Sequence, residues 1–445
     1  MSHAGKFFTS IAVQLADWSP SLRHHICAAI AANTSISAQS LRDQWDQLIL
    51  QPLSKIDGNC VGPSLMIVVD ALDECDNDND IRTILQLFTE AASLDAVRLR
   101  FFMTSRPEIP IRYGFGQMSE SEHRAFVLHN IYPSVVDHDI SLLLQYQFGL
   151  IQKEYSLQKD WPGDQNMKHL IQRAAGLFIW AATAFRFVRE GRRFAPRRLS
   201  LLLEGNAPMG GGPEKHLNDM YLTVLENSIC QEYAPEEREE LSRVLRETVG
   251  SVVILFSPLS VISLSTLLQI SQDEIALALY DLHSILSIPE DHAEPIRLHH
   301  PSFRDFILDR TRCTNLLFLV DERKMHERVA VSSLRLMSEK LGKNMCKLPS
   351  PGTRITEVQP DVVAQRLSSE LQYACLYWAR HVQKSEMCLK DDGPVHLFLK
   401  RHLLHWLEAL SLLRKTSEAV LAILSLGSAI SVSGSFLNVC HGTLT

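Results

Sequence analysis

Gly62-Pro63-Ser64-Leu65-Met66-Ile67-Val68-Val69-Asp70-Ala71-Leu72-Asp73-Glu74 is the stretch from which the fold can be read. Five consecutive apolar residues, Leu65 to Val69, follow a Gly-Pro break and are rich in β-branched types. That composition predicts a parallel strand buried on both faces. A carboxylate at the end of such a strand is costly unless it emerges into a site. Asp70 stands where the strand runs out, and Asp73 and Glu74 follow within one turn. Acids at the carboxyl end of a buried parallel strand suit a divalent cation held beside phosphates, the arrangement of a Walker B strand. The same residues also suit a strand ending in a solvated acidic turn, since Asp76 to Asp80 continue the polarity.

A second strand is predicted about thirty residues further on. Val97 to Met103 leads into Thr104-Ser105-Arg106-Pro107. Between the two, Ile81, Ile84, Leu85, Phe88 and Ala91 recur at helical spacing, so the unit reads strand–helix–strand. The Thr-Ser-Arg end brings hydroxyls and a cation beside the acids, the chemistry of a γ-phosphate sensor.

The segments Val68-Val69-Asp70-Ala71-Leu72-Asp73-Glu74-Cys75 and Phe102-Met103-Thr104-Ser105-Arg106-Pro107 resemble the NACHT-type STAND signalling NTPases, above all their fungal branch. The likeness extends to about residue 425. It implies an α/β fold joined to all-α parts: a partial P-loop NTPase parallel sheet, then a helical domain, a winged-helix domain and a helical arm. By the resemblance, Asp70 holds Mg²⁺ through water, Asp73 or Glu74 orients the attacking water, and Arg106 senses the γ-phosphate of ATP. ADP would hold the domains closed, and exchange for ATP would open them for assembly with other copies or intact relatives.

Composition is consistent with this class. The 445 residues predict two to four domains, and 46% apolar with 21% charged residues is ordinary for a globular protein. A net charge of −7 argues against a general nucleic-acid binder. Nine scattered cysteines without a Cys-x-x-Cys pair suit a reducing compartment and make no zinc site. The longest apolar region, Ala419 to Phe436, is diluted by serines and glycines, so no membrane span and a cytoplasmic location are expected.

Residues 1–130 are expected to form the partial nucleotide domain. Apolar stripes at Phe8-Ile11-Ala12-Leu15, at Leu22-Ile26-Ala29-Ile30 and at Leu41-Trp45-Leu48-Ile49 predict helices, the second opening at Ser19-Pro20. A phosphate-cradling loop needs Gly-x-x-x-x-Gly-Lys-Ser/Thr after a strand. The nearest candidate, His3-Ala4-Gly5-Lys6-Phe7, lacks the first glycine and the hydroxyl. In the fungal family a segment like Gly5 to Leu15 lies past that loop, so the chain is expected to begin inside the NTPase domain, with an unpaired edge on its Walker B strand.

Residues 131–212 are expected to form the helical domain, with one helix running through Leu170, Ala174, Phe178, Ala181, Phe185 and Val188. Within it, Ala175-Gly176-Leu177-Phe178 resembles the family motif that packs near the adenine. Gly205 to Pro213 reads as a linker. Residues 213–312 are expected to form the winged-helix domain: helices around Leu241 to Val252, Leu264 to Ile270 and, after the capping-box spacing of Ser271 and Glu274, Ile275 to Leu286. Short strands at 285–289 and 296–298 would flank a wing. The helix that would enter a DNA groove carries Asp273, Glu274 and Asp281 without a Lys or Arg, which argues against DNA reading. The domain closes on His299-His300-Pro301-Ser302-Phe303-Arg304-Asp305-Phe306. This resembles the family motif whose His contacts the ADP β-phosphate, a role that would fall to His300.

Residues 313–426 are expected to be a helical arm without WD40 or TPR repeats, and 427–445 an irregular tail. A different class of function, a non-enzymatic helical scaffold partnering intact relatives, fits the same helices. A metal-dependent phosphoesterase using Asp70, Asp73 and Glu74 ranks last, for want of further ligand spacing.

Overall fold

The computed structural model describes residues 4–55, 65–75, 78–91, 99–106, 109–116, 118, 123–204, 212–229, 234–348, 350, 353, 358–385, 387 and 389–429. These are mostly helical, with a small parallel two-stranded sheet, and the chain forms two compact units, Met1–Leu128 and His129–Thr445.

The first unit opens with helices α1 (Phe7–Trp18) and α2 (Pro20–Ala32). The Ser19 hydroxyl accepts from the Leu22 amide and Pro20 takes the first helical position, as the sequence predicts. Helix α3 (Leu41–Trp45) passes through a π turn (Asp46–Leu50) into α4 (Gln51–Ser54). Strand β1 (Leu65–Val69), helix α5 (Asp78–Glu90), strand β2 (Leu99–Met103) and α6 (Ile109–Gly116) follow. The strands run parallel in register from Leu65 opposite Leu99 to Val69 opposite Met103. An aromatic cluster forms the core: Phe88 stacks on Phe101 at 4.0 Å, and Trp45 lies 5.0 Å from Phe8 and 5.6 Å from Phe88 between ring centroids.

One expectation about this sheet is corrected. Strand β1 is buried on one face, not both. Ile67 and Val69 are covered, whereas Met66 and Val68 are 56% and 65% exposed and Phe102 of β2 is 57% exposed. The pleat turns alternate residues to opposite faces, and only one face meets the aromatic core. Among the described residues β1 pairs with β2 alone, so its second edge has no described neighbour.

The second unit starts with α7 (Pro133–Glu154), α8 (Asp164–Ala174), α9 (Phe178–Glu190) and α10 (Ala195–Glu204). The single helix expected across 170–188 is two helices. Ala175 and Gly176 adopt positive φ of 46° and 80°, which ends α8, and Phe178 becomes the exposed first residue of α9. Of the linker at 205–213, residues 205–211 lie outside the described residues.

Helices α11 (Pro213–Ser228), α12 (Pro235–Ile254), α13 (Val261–Leu268) and α14 (Gln272–Leu279) come next. The capping box at Ser271 and Glu274 is present: each side chain accepts from the other residue's backbone N–H, at 3.2 and 3.0 Å. Strands β3 (Leu286–Ser287) and β4 (Arg297–Leu298) pair antiparallel, shorter than expected, before α15 (Ser302–Leu308). The arm comprises α16 (Glu322–Lys340), α17 (Pro360–Arg366), α18 (Ser369–Ser385), α19 (Pro394–Leu412) and α20 (Thr416–Ala429). Helix α20 therefore carries three residues into the expected tail, and the remainder of the tail lies outside the described residues.

One continuous hydrophobic core runs from Ile140 of α7 to Leu426 of α20. Buried Arg198 of α10 reinforces it, donating to Phe187 O at 3.0 Å and to the carboxylates of Glu190 at 3.1 Å and Asp281 at 2.8 Å. Burial nevertheless pushes Glu190 up to about 8. Asp281, one of the acids that argued against DNA reading, is thus an anchor for α10.

Deeper in the arm, the Phe256 amide donates to the Tyr373 hydroxyl at 3.2 Å, and that hydroxyl lies 2.7 Å from His381 Nε2. The Nδ1 atoms of His381 and His326 are 2.7 Å apart. A consistent assignment has Tyr373 donating to His381 Nε2, and His381 Nδ1–H donating to His326 Nδ1. The His326 proton then sits on Nε2, 3.8 Å from the Glu322 carboxylate. Both imidazoles are neutral in this chain of donors.

Candidate functional site

The carboxyl ends of β1 and β2 lie side by side, which is what brings the acids and the Thr-Ser-Arg segment together. The backbone pairing continues past the strands: Thr104 N–H donates to Val69 O at 2.9 Å, and Leu72 N–H to Thr104 O at 3.0 Å. Between these bonds Ala71 takes a left-handed conformation, φ 53° and ψ 56°. That unusual backbone for a non-glycine residue turns the Ala71 amide onto the Thr104 hydroxyl at 2.8 Å. The hydroxyl in turn donates to Asp70 Oδ1. Thr104 is therefore the positioning residue of Asp70.

Asp73 sits in a one-turn 3-10 helix, Leu72–Glu74, with its side chain only 9% exposed. Its Oδ1 accepts the Arg106 backbone N–H at 2.9 Å and its Oδ2 lies 3.7 Å from Arg106 Nε. Amide and guanidinium of one residue thus converge on a single carboxylate, tying the two loops together. Asp70 and Glu74 are exposed. Among the described residues no three His, Cys, Asp or Glu side chains are close enough to hold a metal by themselves. A single exposed carboxylate here suits a hydrated Mg²⁺ held through its water ligands rather than a site built from protein ligands alone. Lys6 of the rejected phosphate-loop candidate is an exposed residue at the start of α1.

His300 belongs to the second unit. Its Nδ1 accepts the Ser302 amide at 3.2 Å and lies 2.7 Å from the Ser302 hydroxyl, which meets the Tyr221 hydroxyl at 2.8 Å. An Nδ1 that accepts places the neutral ring's proton on Nε2, the tautomer that can donate to a phosphate oxygen. Tyr221 is buried against Phe303 and Phe306, and burial pushes its phenol up to about 12, so it serves as a neutral hydroxyl. Tyr221 has no sequence signature. It lies 81 residues from Ser302, and its place in this string of hydrogen bonds arises from packing alone.

Thr104→Val tests the loop geometry. It leaves the Ala71 N–H and Asp70 without their hydroxyl partner, which costs about 1–3 kcal/mol. We expect faster amide exchange at Ala71 and Leu72 with little change in the second unit, and unchanged exchange would remove Thr104 from the positioning role.

Residues 1–106 match the family described as Nephrocystin 3, N-terminal. Over 389 residues, covering 81% of this chain, the sequence is 24% identical to the vegetative incompatibility protein HET-E-1 of Podospora anserina. The alignment covers 26% of that relative, so the chain spans about a quarter of its length. These similarities agree with the resemblance that the motifs at Asp70–Cys75 and Thr104–Arg106 carry to the fungal NACHT-type proteins. No helix among the described residues is long and apolar enough to cross a membrane.

Proposed function

We propose that this chain carries part of a NACHT/STAND-type nucleotide-dependent signalling switch, with ATP binding and hydrolysis impaired because its sequence contains no Gly-x-x-x-x-Gly-Lys-Ser/Thr cradle. The observation that carries the reading is the joining of the Asp70–Glu74 loop to the Thr104–Arg106 loop through Thr104 and Asp73. In this reading Asp70 holds Mg²⁺ through water, and the ion neutralises phosphate charge. Asp73 positions Arg106 for a γ-phosphate, and exposed Glu74 orients water. His300, with its proton on Nε2, donates to the β-phosphate of ADP. The order of elements from α12 to α15, three helices, an antiparallel pair and a helix, supports the winged-helix assignment of 213–312.

Hydrolysis of Mg-ATP by the purified chain is the test. We expect no turnover above background and only weak retention of fluorescent ADP. Saturable hydrolysis at micromolar ATP, lost on Asp73→Asn or Glu74→Gln, would overturn the claim of impairment.

The unbroken core from Ile140 to Leu426 favours a second reading, a non-enzymatic helical scaffold that partners intact relatives. Association with such a relative that survives Asp70→Ala would select it.

A further inference from the structure

Helices α16 and α19 pack against each other and leave between them a groove of about 590 Å³. Its walls carry Val331 and Arg335 of α16 and Leu397, Lys400 and Arg401 of α19, and no carboxylate lines it among the described residues. Leu397 and Leu404 stand one heptad apart on α19 and are 51% and 76% exposed. With Lys400 and Arg401 between them, they form a stripe of alternating apolar and cationic character at helical spacing. Lys400 and Arg401 form no ion pair among the described residues, although the protein as a whole is acidic, with net charge −7. Arg335 is held in place by donating to Leu267 O at 2.9 Å and by Glu339 at 3.6 Å.

The groove does not stop there. Val331 and Arg335 also line a second cleft, of about 810 Å³, which follows α16 back to Asp321 and carries charges of both signs. From Asp321 to Ser338 the two together track α16 for about 25 Å at 1.5 Å per residue. That is the length of a helix of about five turns.

We propose that the face between α16 and α19 is a docking groove for an amphipathic helix of a partner protein, one whose apolar stripe is flanked by aspartates and glutamates. Val331 of α16 and Leu397 of α19, both partly exposed on facing walls, fit apolar anchors on an incoming helix, with Leu404 one heptad on extending the apolar side along α19. In the stretch between α16 and α19, Arg335, Lys400 and Arg401 line the groove without a carboxylate among the described lining residues, and there they select acidic flanks and repel basic ones, whereas the cleft toward Asp321 is of mixed charge. The assignment is independent of the nucleotide reading, since no residue of the β1–β2 site takes part.

The test uses the full chain and a fluorescein-labelled helical peptide of about 18 residues, with leucines three and four apart flanked by glutamates. A second peptide carries lysine for every glutamate. We expect saturable binding of the acidic peptide that weakens as salt rises from about 50 to 300 mM. The double variant Lys400→Glu with Arg401→Glu should lose about tenfold or more in affinity. Its circular dichroism and melting should match the parent, since both side chains are exposed. Absent binding of the acidic peptide, equal binding of the basic one, or affinity untouched by the double variant would each overturn the proposal. So would two alternatives. One is binding of phosphatidylserine–phosphatidylcholine vesicles, lost in the double variant, with no peptide bound. The other is a concentration-dependent dimer, seen by sedimentation, that the double variant abolishes.

Discussion

Phe88→Ala is expected to destabilise the first unit by about 3–5 kcal/mol, the range for deleting a buried aromatic ring. Phe88 is the hub of that core. It stacks on Phe101 of β2 and touches the rings of Trp45, Phe8 and Phe7. Its removal leaves the two-stranded sheet without the surface that holds its buried face, and a sheet of two strands has little stability of its own. Hydrogen exchange read over peptides covering 65–69 and 99–103 should show those strands opening many times faster. Peptides from α16 and α18 should not change. Strands that exchange at the parent rate would show that the sheet is held by something other than the aromatic cluster.

The second large effect depends on pH. Burial, assisted by Arg304 and Lys384 and opposed by Glu322, pushes His326 down to about 4. Burial, the neighbouring His326 and Arg380 likewise hold His381 well below the ordinary imidazole value. Tyr373 faces the pair from α18 and remains a neutral hydroxyl, because burial raises it. A neutral pair in the folded state, against an unfolded value of 6.5, means that the unfolded chain binds more protons. The contribution is therefore fully present above pH 6.5 and is lost as pH falls from there toward 4. For His326 alone, the fall from 6.5 to about 4 amounts to about 3 kcal/mol. Urea unfolding followed over this window should show the loss. A His326→Gln, His381→Gln double variant, less stable at neutral pH, should have a flatter dependence by about the same amount. Equal slopes would mean that the two imidazoles are not the titrating pair.

Much of the architecture was legible because it depends on local chemistry. Ser19-Pro20 opens a helix, Ser271 and Glu274 cap one, and an apolar run ending in Asp70 forms a strand whose acids meet the Thr-Ser-Arg end of the next. What could not be read depends on neighbours. An unbroken run such as Leu65 to Val69 looks the same whether one face or two will be covered, because periodicity vanishes when every residue is apolar. The break at Ala175-Gly176 is hidden inside apolar spacing that stays in phase on either side of it. Likewise the residues supporting the site gave no sign of themselves. The Thr104 hydroxyl could be placed near the acids, but its grip on both Asp70 and the Ala71 amide requires the left-handed turn at Ala71. Tyr221 reaches Ser302 only because α11 packs against α15.

The hold of Asp73 on the Arg106 amide has an entropic consequence. Loops that receive phosphates often pay for binding at the moment of capture, when wandering backbone must be brought to rest. Here the two loops are already moored to one another by side chain and main chain before any ligand arrives. If the proposed nucleotide reading holds, a phosphate held here through Mg²⁺ would meet a surface whose freedom was given up during folding, so little of its attraction would be consumed in imposing order.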